Sequence, residues 1–240
     1  MRELFSGWNE ALIWAHLDGE MGESIEIRNE GKTESAMITV ADFCFLAGKP
    51  NAELLKRISA IIIVPQNEAW EHLIESELNE RVIKERRYAI KKEPDVFDRN
   101  KLKGYAASLD GEFEFKRFDE EICRQAMKEE WSEDLCAGFL DCDDFLKRGI
   151  GFAALKDGTL VSGASSYAVY KGGIEIEIDT RNDYRRRGLA TACGAKLILH
   201  CLDNGLYPSW DAYDLRSVAL AEKLGYHLDK PYSCYYFMDE

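Results

Sequence analysis

From Ile174 to Ala192 the sequence changes from a two-residue period to a helical one across a single polar turn, which dictates a strand feeding straight into a helix. Ile174, Ile176 and Ile178 alternate with Glu175, Glu177 and Asp179, so the strand has an apolar face and a face of three carboxylates. A turn over Thr180 to Asp183 follows. Arg185, Gly188 and Ala190 then stand at the spacing Arg-x-x-Gly-x-Ala, and the chain reads as helix from Leu189 onward. Small residues at such a helix start leave backbone N–H groups open to a phosphate.

A chain of 240 residues is long enough for one large or two modest domains. Its formal net charge of −13 repels nucleic-acid backbones, so the run Arg185, Arg186, Arg187 marks a local anion site on an acidic surface. The alternative for this run is a solvated basic turn. The seven cysteines (Cys44, Cys123, Cys136, Cys142, Cys193, Cys201 and Cys234) form no Cys-x-x-Cys pair and are expected to be reduced thiols of a cytoplasmic protein. The short apolar run Ala11 to Ala15 has no basic cluster before it and does not read as a signal peptide. No segment reaches the length of a membrane span, and the four histidines lack metal-ligand spacing, so neither a membrane nor a metal is expected.

In chain order, Leu4 to Ala15 predicts an amphipathic helix, Ser24 to Arg28 and Ala36 to Leu46 a strand pair, and Ala60 to Val64 a buried strand. Helices capped by Asn51 and Asn67 flank that buried strand, and strand-like residues return over Val82 to Lys91. The charged stretch Lys91 to Lys103, interrupted by Pro94, reads as a linker, giving domains over 1–100 and 105–240. In the second half, Glu112 to Phe118 predicts a strand and Asp119 caps a helix, with another helix over Asp134 to Lys147. Lys156-Asp157-Gly158 joins two strands as a hairpin, and the 174–179 strand follows. After its helix come a short strand over Leu206 to Ala212, a helix capped by Asp214 and ended by Gly225, and a strand pair over Tyr226 to Phe237.

The second half resembles the GNAT superfamily of N-acetyltransferases over roughly Gly111 to Phe237. Tyr184-Arg185-Arg186-Arg187-Gly188-Leu189-Ala190 is similar to that family's acyl-CoA pyrophosphate loop, and the run Asp214 to Tyr226 is similar to its closing helix. Ile178-Asp179-Thr180 together with Pro208-Ser209-Trp210-Asp211 resembles the bacterial group that includes zwittermicin-resistance acetyltransferases. The resemblance implies an α/β (α+β) fold with a mixed, mostly antiparallel sheet flanked by helices. It is preceded by a smaller α/β domain whose element order suggests a degenerate GNAT-like duplicate.

The resemblance further implies acetyl-CoA as co-substrate and direct transfer to the amine of a small-molecule or peptide acceptor, and a homodimer is compatible with it. Ile178, Asp179, Thr180, Arg185, Arg186, Arg187, Gly188, Leu189, Ala190, Thr191, Asp214 and Ser217 would bind the cofactor. Glu175 or Glu177 would take the amine proton; Tyr213, Ser217 and Tyr226 are candidate acids, and the thiolate of a simple thiol could also leave without one. Each carboxylate also has a purely structural reading, facing solvent or pairing with a basic neighbour. Two departures matter: Asp214 stands where many members have Asn, and Ala221 where many have a tyrosine that protonates the leaving thiolate. They motivate a second reading, an acyl-CoA-binding regulatory module with impaired catalysis. A third reading is an acyltransferase using another donor, including aminoacyl-tRNA, of which the tRNA case is disfavoured by the acidic charge. Cys193 and His200 are assigned packing and helix-end roles.

Overall fold

The computed structural model describes residues 1–109 and 111–238. The chain forms two compact units, one of residues 1–87 and 231–240, the other of residues 88–230.

The first unit opens with a 3-10 turn over Arg2–Phe5 and helix α1 (Ala11–Leu17), where the sequence predicts one continuous helix. Strands β1 (Glu23–Asn29), β2 (Lys32–Val40) and β3 (Phe43–Gly48) form an antiparallel meander. The predicted single strand over 36–46 is therefore two. Ala41, at φ 47°, makes the turn between them without the glycine or asparagine that would have announced it. Helix α2 (Ala52–Leu55) leads to β4 (Ile62–Pro65), which runs parallel to β3. Helix α3 (Glu68–Leu78) leads to β5 (Val82–Ile90). Asn51 and Asn67 cap α2 and α3 as expected, accepting from Glu53 N and Trp70 N.

The core of this unit gathers Leu46, Leu54, Ile63, Trp70, Ile74 and Tyr235. Trp70 is fully buried and its Nε1 donates to Gly48 O at 2.9 Å. Replacing Trp70 with alanine is expected to cost about 3–5 kcal/mol, read as a lowered urea midpoint by circular dichroism, because the cavity also strands the Gly48 carbonyl.

The second unit begins inside β5. The predicted linker over 91–103 lies within it and contains most of helix α4 (Arg99–Ala106), capped by Asp98. Strand β6 (Glu114–Arg117) is followed by helices α5 (Glu120–Ala126), α6 (Asp134–Ala137) and α7 (Cys142–Arg148). The single helix expected over 134–147 is broken at Gly138, and Asp141 starts the next one by accepting from Asp144 N. Strands β7 (Gly151–Lys156), β8 (Thr159–Tyr170) and β9 (Gly173–Thr180) are antiparallel neighbours, joined first by the predicted 156–158 hairpin. Helix α8 (Leu189–Asp203) then leads to β10 (Tyr207–Ser209), parallel to β9. The predicted short strand over 206–212 is split into β10 and β11 (Asp211–Ala212), the latter pairing with Tyr88 and Ala89. Helix α9 (Leu215–Leu224) and strand β12 (Leu228–Phe237) complete the chain. The expected terminal strand pair is one strand: Pro231, which lacks an N–H, sits in an exposed stretch where its missing donor is tolerated.

Both units contain a helix, three antiparallel strands, a helix, a strand parallel to the third and another helix; in the second unit α4, β6 and two further helices precede that run.

The cysteine expectation is corrected. Cys123 and Cys142 form a disulfide between α5 and α7, which bring their Cα atoms to 5.8 Å across 19 residues of sequence. The other five cysteines are buried and outside any disulfide.

Candidate active site

Strand β9 carries the site. A Cβ on Gly194 of α8 would stand 2.9 Å from Ile178 Cδ1, so the isoleucine face of β9 packs under α8. The carboxylate face lies on the opposite side. In register, Asp179 stands across from Gly163 and Glu177 across from Ser165, and residues directly opposed share a face. Helix α6 covers that face: Ser165 Oγ donates to Leu135 O at 2.6 Å, and a Cβ on Gly163 would meet Leu135 Cδ1 at 2.7 Å.

The three carboxylates differ by depth. Glu175 is 3% exposed, near enough to Tyr170, Tyr207 and Tyr226 that its charge adds to the burial raising their phenols. Glu177 is half-buried, and its Oε1 accepts from Ile178 N at 2.9 Å. Asp179, at the strand end, is pushed up to about 6, chiefly by burial and then by the negative charge of Asp134 on α6, while Arg185 opposes the shift.

Pairing between β9 and β10 ends at Glu175 and Ser209, while β9 continues to Thr180. From Ile176 onward β9 therefore runs past the end of β10, opening a notch where backbone groups of β9 can meet a ligand.

Beyond the strand, Arg185 Nε returns to Thr180 O at 3.2 Å. Thr180 Oγ1 is held by Ser162 Oγ at 2.7 Å. Arg181 pairs with Asp183 at 2.8 Å. Arg187 pairs with Glu112 and lies 4.8 Å over the Phe113 ring and 5.5 Å over Tyr184. Arg186 is exposed, with φ 63°.

Gly188 caps α8 at φ 85°, a conformation that favours glycine, and a Cβ there would meet nothing within 4 Å. No side chain caps the helix, and its first turn holds no acidic residue. Fifteen residues of aligned peptide dipoles thus end at an open, basic-flanked N-terminus, suited to an anion.

The other predicted ligands have structural partners. Leu189 is buried and Ala190 half-buried, while Thr191 Oγ1 accepts from Lys223 Nζ at 3.2 Å. Asp214 caps α9, accepting from Arg216 N at 2.8 Å and Ser217 N at 2.9 Å. Ser217 Oγ accepts from Trp210 Nε1 at 3.1 Å. Ala221 lies on the buried face of α9. Tyr226 is fully enclosed and its hydroxyl donates to Pro208 O at 2.7 Å, so its proton is committed to the backbone.

Cys193 is buried and its thiol is pushed up to about 12 by burial, which disfavours a nucleophilic role. His200 is lowered by burial and then by Arg117. Among the described residues, no group of three or more His, Cys, Asp or Glu side chains could hold a metal ion, and no helix is long and apolar enough to cross a membrane.

Asp134 and Glu112 were not anticipated from sequence. Both reach the site from segments remote in the chain, and a lone acidic residue in an acidic protein carries no local signal.

The family model described as "GNAT acetyltransferase" matches residues 2–235. This chain belongs to that GNAT family. The match runs through the N-terminal residues as well as the second half, so the likeness is wider than the sequence motifs suggested. The chain is 46% identical to a solved GCN5-related N-acetyltransferase-like protein from Streptococcus suis, with a TM-score of 0.93 over 99% of this chain and 96% of that one. It is 28% identical to the uncharacterized N-acetyltransferase YdfB of Bacillus subtilis over 80% of this chain and 71% of YdfB. It shares the fold of a GCN5-related N-acetyltransferase from Kribbella flavida at 11% identity and a TM-score of 0.61, covering 96% of this chain and 95% of that one. The GNAT chain is therefore an enzyme of the N-acetyltransferase type.

Proposed function

We propose that this GNAT enzyme transfers the acetyl group of acetyl-CoA directly to an amine acceptor. The observation that carries the reading is the uncapped N-terminus of α8 at Gly188, reached from a β9 strand end that outruns β10. Acetyl-CoA would supply a thioester activated for attack. Its pyrophosphate fits the backbone N–H groups after Gly188, with Arg185 and Arg186 nearby, and the open space at Gly188 is the cradle a side chain would fill.

On the protein's side, the carboxylate face of β9 receives the amine. Asp179 best suits proton acceptance, because a carboxyl shifted to about 6 ionises just below neutral pH while remaining basic enough to take a proton. Glu177 is the second candidate: its carboxylate covers the Ile178 N–H, a donor suited to a thioester oxygen, and moving off it would bring that carboxylate toward the amine. Glu175 is the deepest of the three and the third candidate. Ala221 and Tyr226 are unable to donate, which leaves the exposed Tyr213 as donor or, because a simple thiol has a pKa near ~8.5, departure of the thiolate without a protein acid.

Thiol release from acetyl-CoA across a panel of small and peptide amines tests this reading, alongside calorimetric binding. Micromolar acetyl-CoA binding with amine-dependent thiol release is expected; no binding overturns the proposal. Binding without turnover for any amine favours the impaired regulatory module instead.

The repeated element order supports reading the first unit as a degenerate duplicate. Its loop counterpart, Gly48 to Asn51, enters a helix of four residues already capped by Asn51, so an anion gains little there. The cytoplasmic location, the homodimer and the kinship to zwittermicin-resistance acetyltransferases stay with this reading.

A further inference from the structure

Outside the acetyl-transfer site, three cysteines meet where α5, α6 and α7 converge. Cys123 of α5 is bonded to Cys142, the first residue of α7. Cys136 of α6 places its Sγ 3.5 Å from Cys123 Sγ. Cys123 and Cys136 are 0% and 1% exposed, while Cys142 is half-buried and its Sγ lies 3.5 Å from the Sδ of the exposed Met127. One sulfur of the group is therefore accessible, one is shared and one is a reserve thiol within reach of the bond.

We propose that Cys123, Cys136 and Cys142 form a thiol–disulfide exchange site that takes small thiols and disulfides and shifts the cross-link between α7 and α6. In the internal step the Cys136 thiolate attacks Cys123 Sγ, forming the Cys123–Cys136 bond. The Cys123–Cys142 bond breaks, and Cys142 leaves as the thiolate that takes up the proton Cys136 released. One disulfide is present before and after, so no oxidant is consumed. From outside, a small thiol attacks the accessible Cys142 Sγ, giving a mixed disulfide there and freeing the Cys123 thiol. A second small thiol then releases Cys142 and leaves as the small disulfide, so two small thiols are oxidised as one protein disulfide is reduced.

Burial pushes the Cys136 thiol up to about 12, which keeps it protonated and makes the internal step slow, on the minutes-to-hours scale of uncatalysed rearrangement. The shift matters because α6 is the helix on the carboxylate face of β9. Its Leu135 carbonyl holds Ser165, and its Asp134 raises Asp179. Moving the tether from α7 to α6 moves a covalent restraint onto the helix over the site.

The test is labelling of the oxidised full-length protein with N-ethylmaleimide at pH 8 without reductant, followed by peptide mapping. Label accumulating at Cys142, together with a Cys123–Cys136 linked peptide, is expected. The C136A variant is expected to slow Cys142 labelling at least tenfold. Label at Cys136 with Cys123–Cys142 persisting overturns the proposal, as does absence of the Cys123–Cys136 peptide from the wild-type protein. Labelling of Cys44, Cys193, Cys201 and Cys234 at the rate of Cys142 also overturns it, since unfolding would then be the route. The wild-type peptide map decides the matter even where C136A does not fold. Reduced glutathione is expected to modify Cys142 before any other cysteine, and first modification elsewhere counts against the site.

Discussion

Gly188→Glu is expected to abolish detectable acetyl-CoA binding, a loss of at least about 100-fold, while leaving the circular dichroism spectrum unchanged. Three effects add. Gly188 sits at φ 85°, which costs a non-glycine residue roughly 1–2 kcal/mol. The new side chain enters the space around Gly188, which is empty to 4 Å and so admits it without disturbing the fold. Its carboxylate then stands beside the N-terminal N–H groups of α8 and competes with an anionic ligand for them. Titration calorimetry checks the loss of binding, the circular dichroism spectrum the intact fold, and thermal melting the strain, as a lowered midpoint. Retained binding with wild-type affinity would show that the anion site lies elsewhere, whatever the turnover.

Asp179→Asn is expected to slow acetyl transfer by about 10²–10⁴-fold and at the same time to raise the melting temperature at pH 7. The two effects share one cause. The Asp179 carboxyl holds its proton more tightly in the folded protein, near 6, than in the unfolded chain. As pH rises from about 4 to 6 the native state is charged where it resists charge, so stability falls and the loss persists above that range. Asparagine removes that cost, so the gain in melting temperature is expected at pH 7 and absent at pH 4. Wild-type activity should rise with pH through about 6. In Asp134→Asn the limb should move to lower pH, because a like charge no longer opposes ionisation. An unchanged acid limb and rate in Asp179→Asn would remove Asp179 from the proton path, and equal profiles for wild type and Asp134→Asn would assign its shift to burial alone.

Much of the site was legible because its signals are local. The alternation over 174–179 is a strand pattern, Gly188 marks the helix start, and Asp214 and Gly225 bound α9 as helix-capping rules require. The misreadings arose where local signals were absent or ambiguous. Ala41 turns the chain without turn chemistry, the 134–147 run keeps a helical appearance across a break, and Pro231 suggested a break in a strand that continues. Thr191 and Ser217, expected as ligands, hydrogen-bond Lys223 and Trp210, partners 32 and 7 residues away that no local pattern announces.

The sequence by itself determined the carboxylate face of β9, the basic turn and the helix that begins at Gly188, since each follows from the period and the residue types of one continuous stretch. Only the tertiary structure decided which carboxylate burial and a neighbouring charge push upward, that Tyr226 is sealed against Pro208 O, and that three cysteines meet. Those properties depend on burial and on groups brought from distant segments, such as Asp134 against Asp179 and Cys136 against Cys123. Coulomb energy, desolvation and sulfur exchange depend on distance in space, which a one-dimensional pattern does not carry.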